Sequence, residues 1–170
     1  MPRKRLANAK TVVIKVGSSL LASLAGGLDT RFLYRLVGEL AALREQGRQV
    51  VLVSSGAVAA GTAELGLKER PTHLPEIQAA AAVGQGALMQ VYRDAFSYHR
   101  IKVGQVLLTR DILEDRQRFL HARNTLLALL AHGVLPVVNE NDTVAVEELK
   151  LKIGDNDALA VSVAQLVDAD

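Results

Sequence analysis

The stretch Gln49 to Gly61, "QVVLVSSGAVAAG", passes from a continuous apolar, β-branched run to a turn of small residues and then to a helix opening at Ala57. A run that is apolar at successive positions, not at alternate ones, is the pattern of a strand covered on both faces. Similar runs recur at Thr11 to Val16, Val103 to Leu108 and Val134 to Val138, each short and flanked by Gly or polar residues. All four are expected to be buried strands.

Helical patterns lie between them. Arg31 to Gln46 carries Leu33, Leu36, Val37, Leu40 and Leu43 on one stripe, opened by Asp29 and Thr30 and closed by Gly47. Strands alternating with helices predict an α/β protein, a three-layer αβα sandwich around an open, mainly parallel sheet. In such sheets ligands bind at the carboxyl ends of the strands. Thr143 to Ile153 alternates apolar and polar residues and is expected to form a hairpin over that edge. No repeat or linker divides the chain; "KERPTHLPE", Lys68 to Glu76, is the most loop-like stretch.

With 170 residues, 49% of them hydrophobic, and a mean hydropathy of +0.18, the chain fits one domain with a substantial core. The absence of cysteine excludes disulfides, thiol catalysis and thiolate zinc sites and fits a reducing cytoplasm. The formal charge is +2, and part of the basic excess is Arg3, Lys4 and Arg5 in a solvated tail, residues 1–10. Aromatic residues are only 4% and no basic stripe interleaves with them, so a nucleic-acid surface is not expected. Lys15 interrupts "TVVIKVG" too soon for a signal-peptide core, and no segment is long enough to cross a bilayer. A soluble, cytoplasmic protein is expected.

Four stretches carry chemistry. In "KVGSS", Lys15 sits in an apolar strand ahead of Gly17, Ser18 and Ser19. A buried lysine is costly unless it meets an anion, and exposed amides beside it suit phosphate oxygens, although this is not the P-loop pattern. The alternative is an edge-strand lysine snorkelling outward. The turn Ser54 to Gly56 precedes a helix whose first amides can face an anion, with Ser55 adding a hydroxyl; an ordinary helix cap is the competing reading. Gly84 and Gly86 interrupt a helical pattern, either for close packing or to border a ligand with Gln85. His73, His99, His121 and His132 have no metal-site spacing and are expected at the surface.

The fourth stretch, Val137 to Val161, crowds Glu140, Asp142, Asp155 and Asp157 around Asn141 and Asn156. Helix capping and solvated turns account for such residues one cluster at a time, and calcium could use the oxygens, though the spacing is not an EF-hand loop. A third reading is an acidic pocket for an ammonium-bearing ligand, set opposite the phosphate-binding turn.

Together these motifs resemble the glutamate 5-kinases of the amino acid kinase family. The resemblance rests on "VIKVGSSLL", "VLVSSGAVAAG", "AAAVGQGALMQVY", "GQVLLTRDILEDRQRFLHARNTL", "PVVNENDTVA" and "IGDNDALA", in order from Thr11 to Asp170. Relatives acting on acetylglutamate, aspartate or uridylate share the lysine-glycine turn but not "NEND" with "GDND". The resemblance implies ATP with Mg²⁺ as the phosphoryl source and L-glutamate as acceptor, with proline as feedback inhibitor. It assigns Lys15, Gly17 and Ser18 to the ATP phosphates, and Ser55, Asp142 and Asn156 to glutamate. Asp157 becomes an organiser of catalytic lysines, while Asn141, Asp155, Gly56 and Ala57 are expected to line the substrate pocket. It also implies that residues 11–170 are the amino-acid-substrate part of a kinase domain, truncated before its nucleotide-binding half, and that the protein is a homo-oligomer. The alternatives are a non-catalytic glutamate- or proline-binding module and a kinase for another acid.

Overall fold

Four apolar runs pair side by side in parallel, and the helices between them cover both faces. The computed structural model describes residues 7–23, 26–144 and 156–170. Strands β1 (Thr11–Val16), β2 (Gln49–Ser54), β3 (Val103–Leu108) and β4 (Leu135–Glu140) form one sheet in the order β1-β2-β4-β3. Every pairing is parallel, with Val16 opposite Ser54 and Leu108 opposite Glu140. The helices are α1 (Ser18–Leu21), α2 (Thr30–Glu45), α3 (Ala57–Glu64), α4 (Leu74–Ser97), α5 (Arg116–Ala131) and α6 (Asn156–Leu166), with a 3-10 turn at Arg110–Leu113.

The strand order dictates the layering. From β1 to β2 and from β2 to β3 the chain moves one way across the sheet, and from β3 to β4 it moves back. Right-handed crossovers then put α2 and α4 on one face and α5 on the other. Alternate residues of β2 follow that division. Val50 and Leu52 pack with Leu33, Val37, Leu88, Tyr92 and Phe96, whereas Val51 and Val53 pack with Leu126, Leu130, Leu159 and Val163. The predicted three-layer sandwich is therefore present.

Only the two central strands are buried throughout their apolar length. β1 and β3 are the outer strands of the four, and most of their residues are only partly buried, which corrects the expectation of four buried strands. β2 runs on to Ser54 and β4 to Glu140, beyond the apolar runs, because the backbone ladder continues through polar residues. The predicted α2 is present: Asp29 caps it by accepting from Phe32 N at 3.0 Å, and Gly47 turns the chain at φ +80°. Of the expected hairpin, Thr143 and Val144 lie in a turn and the remainder falls outside the described residues, as does Asp155.

The helix pair α3 and α4 sets the height of the ligand edge. A Cβ at Gly61 would lie 1.7 Å from Ala80 O, and one at Gly84 would lie 1.9 Å from Ala57 O. Neither position has room for a side chain, so Gly84 serves helix packing. Gly86 has nothing within 4 Å.

These two glycines predict opposite outcomes. Gly84→Ala should destabilise by at least about 1–3 kcal/mol through overpacking against backbone. Gly86→Ala should gain up to about 1 kcal/mol, the helix-propensity difference. Urea unfolding monitored by circular dichroism measures both, and equal midpoints would contradict the assigned packing.

Candidate active site

The carboxyl ends of β1, β2 and β4 open onto one cavity of about 500 Å³, with Ser18, Ser55, Gly56, Asn139, Asp142 and Asn156 in its wall and Lys68 and Arg70 contributing from the loop before α4. Gly56 holds φ +102°, a conformation that strains any L side chain, and so lets α3 begin at Ala57 immediately after β2. A Cβ there would also press on Leu21 Cδ1 at 3.3 Å. The first amides of α3, which lack intrahelical acceptors, are thereby set at the cavity.

Asn156 is 5% exposed and opens α6. Its Nδ2 faces Ser54 O at 2.9 Å, Ser55 Oγ at 3.1 Å and Asn139 Oδ1 at 3.1 Å. A main-chain carbonyl can only accept, so this orientation of the carboxamide is imposed and not a matter of assignment. Two consequences follow for a ligand. Asn156 has Oδ1 left to offer, an acceptor. Ser55, whose oxygen already faces an amide donor, has its hydroxyl proton left to give.

Asn139 continues the network. Its Oδ1 also accepts from Glu140 N at 2.8 Å, and its Nδ2 donates to Gln85 Oε1 at 2.8 Å. Behind the same turn, the hydroxyls of Ser54 and Tyr92 lie 2.8 Å apart in the core.

Next along α6 from Asn156, Asp157 Oδ1 pairs with Lys15 Nζ at 2.7 Å. Lys15 therefore meets an anion, one supplied by the first turn of α6. The ammonium lies 3.6 Å from where a Cβ on Gly17 would stand, an ordinary contact distance, so it rests beside the turn without requiring glycine there. Asp142 is half-buried in the cavity wall. Asn141 is turned elsewhere: its Oδ1 accepts from Thr143 Oγ1 at 2.6 Å, and it borders a smaller neighbouring hollow with Gln85 and Gly86.

Ser18, Ser55, Gly56, Ala57, Asp142 and Asn156 thus line one cavity; Gly17 and Asp157 are outside its lining but adjoin Ser18 and Asn156 in sequence, Lys15 pairs with Asp157, and Asn141 lies to one side. Sequence reasoning places Ser54 and Asn139 in stretches at the ligand edge without giving either a role, and does not single out Tyr92. The available signal for Asn139 is a polar residue within a buried apolar run, which must find hydrogen-bond partners. All four histidines are exposed. Among the described residues no group of three or more His, Cys, Asp or Glu is placed to hold a metal ion, and no helix is long and apolar enough to cross a membrane.

Comparison with known proteins matches residues 10–170 to the amino acid kinase family. A glutamate 5-kinase of Moorella thermoacetica is 58% identical over 168 residues, covering 99% of this chain and 44% of that protein. Glutamate 5-kinases of Citrifermentans bemidjiense and Pelobacter propionicus are 55% and 54% identical over 169 residues, each covering 99% of this chain and 45% of the relative. The chain spans under half the length of the curated relatives it matches.

Burial pushes the Tyr92 phenol up to about 12, against the opposing hydrogen bond with Ser54. A folded value above the ordinary 10.0 means that the stability tied to the neutral phenol is complete below pH 10 and is lost as pH rises toward 12. Tyr92→Phe has no such group. The stability of wild type relative to Tyr92→Phe should therefore fall by about 2–3 kcal/mol between those limits, measured by denaturant unfolding. A constant difference would mean that the phenol ionises freely in the fold.

Proposed function

The chain belongs to the amino acid kinase family, and from that premise we propose that residues 11–170 form the amino-acid-binding part of an ATP-dependent kinase that phosphorylates the γ-carboxylate of L-glutamate. The observation that carries the reading is the imposed orientation of Asn156. It leaves an acceptor at Asn156 beside a donor at Ser55, which matches the ammonium and carboxylate of a free amino acid. Asp142 supplies the negative charge for that ammonium. The Gly56–Ala57 turn offers backbone amides to a carboxylate at the positive end of α3.

The second half of the reading concerns the phosphates. Lys15, paired with Asp157 near the Gly17 turn, is the cation assigned to the phosphates of ATP. In the reaction, an oxygen of the γ-carboxylate attacks the γ-phosphorus while the bond from that phosphorus to the ADP oxygen breaks, giving γ-glutamyl phosphate and ADP. A glutamate carboxyl with a pKa of about 4.3 is already ionised at neutral pH, so no proton has to be removed. The difficulty is the approach of two anions, which positioning and the Lys15 charge address. Mg²⁺, if carried on the nucleotide phosphates, would offset their charge. The relatives' name supports a place at the first step of proline biosynthesis, and proline, which shares the ammonium and carboxylate, is expected to compete for the pocket. A cytoplasmic homo-oligomer fits this reading.

Asp142→Asn keeps the side chain's shape and removes its charge, so glutamate affinity should fall by roughly 10 to 150-fold, the worth of one charged hydrogen bond. Calorimetry on a variant with an unchanged circular dichroism spectrum measures this; wild-type affinity would mean that the ammonium is held elsewhere.

In preparations that form hydroxamate from glutamate, ATP and Mg²⁺ in the presence of hydroxylamine, Lys15→Met should lower the rate by about 10²-fold or more. An unchanged rate would remove Lys15 from the phosphoryl-transfer site. Glutamate binding with no glutamate-dependent phosphate release in any preparation would favour a binding module over a kinase.

A further inference from the structure

Gln85 lies on α4, outside the lining of the main cavity, and is 8% exposed. Its Oε1 accepts from Asn139 Nδ2, and its Nε2 is buried without a hydrogen-bond partner among the described residues. A buried amide left half-satisfied is unfavourable and calls for a cause. The cause is found along the network. Glu140 N can only donate, which holds Asn139 with its oxygen toward Glu140 N and Asn156 and its NH₂ toward α4. Turning Gln85 to satisfy its own NH₂ would set that group against the NH₂ of Asn139. The unpartnered donor is therefore the consequence of keeping an acceptor behind Asn139.

We propose that Gln85 is a positioning residue: it anchors the Asn139 carboxamide, and through it one of the contacts that hold the Asn156 NH₂ with its oxygen available to the ligand. The direction is fixed at both ends, by Ser54 O at one and Glu140 N at the other, and Gln85 closes the chain from behind the sheet. One α4 face serves the whole turn, because Tyr92, two helical turns along from Gln85, reaches Ser54. The link to glutamate rests on the proposed function; the link from Gln85 to Asn156 does not.

The test uses the 170-residue chain in three forms: wild type, Gln85→Leu and Gln85→Glu. The glutamate variant keeps an oxygen toward Asn139 whether or not its carboxyl is ionised. Two quantities are measured, glutamate affinity by calorimetry and solvent exchange of the Asn156 side-chain NH₂ by ¹⁵N NMR. Gln85→Leu should weaken glutamate binding about tenfold and speed the NH₂ exchange about tenfold, the worth of one lost buried hydrogen bond. Gln85→Glu should recover most of both. Should Gln85→Leu not fold, Gln85→Met, which keeps the length and removes the polar end, replaces it. Unchanged Asn156 exchange in the apolar variant would overturn the proposal. So would equal damage from the apolar variant and Gln85→Glu, which would mark Gln85 as packing alone. If the wild type binds no glutamate, the functional reading falls, and the exchange measurement still decides the role of Gln85.

Discussion

One carboxamide nitrogen, Nδ2 of Asn156, ties together the ends of β2 and β4 and the start of α6. A parallel sheet ends in a row of carbonyls that its own ladder does not satisfy, and a site built there must supply donors for them. Here a buried side chain does so at Ser54, and the same nitrogen faces Ser55 Oγ and Asn139 Oδ1. Since the carbonyl admits only a donor, the orientation of each later group in the network is dictated in turn. The cavity therefore has a fixed pattern of donors and acceptors before any ligand enters, which is how polar sites avoid reorganisation on binding.

The network is held at its depth by packing. α3 and α4 approach so closely that carbonyl oxygens occupy the space a Cβ would take at Gly61 and Gly84. This contact brings the first turn of α3 down to the end of β2 and lets Gln85 and Tyr92 on α4 reach the polar ends of β4 and β2. Large side chains at the crossing would lift α3 and open the cavity floor. The small-residue runs around Gly61 and Gly84 thus act on the site through helix separation, without lining it together.

Charge is arranged around this frame with little need for acid-base chemistry. The four histidines are exposed, and an ionised carboxylate nucleophile needs no base. What the proposed reaction demands is the approach of two anions, and the groups available for it are a lysine paired with Asp157 and the start of α3. The Lys15 pair is partly solvated, with 25% and 67% of the two side chains exposed, so its contribution is orientation more than stability.

How much of this the sequence determined by itself differs between backbone and site. Strand runs, the Asp29 cap, the Gly47 stop and the turn at Gly56 are local matters of hydrophobic period, capping and φ preference, and each is readable from neighbouring residues. The ligand edge follows from the alternation of strand and helix, and Lys15 and Ser55 stand out as polar residues within or just after apolar runs, whereas Asp142 and Asn156 are selected from their cluster only by the family resemblance. The difference between central and outer strands was not readable, because burial depends on strand order, and a β-branched run looks alike in either place. Nor were the roles of Gln85, Asn139 and Tyr92, since a buried polar residue takes its meaning from the partner it meets. Asn156 and Ser54 are distant along the chain, and Gln85 and Asn139 lie on different elements. Only the parallel sheet, by collecting strand ends on one edge and laying α4 behind them, decided which amide faces which carbonyl.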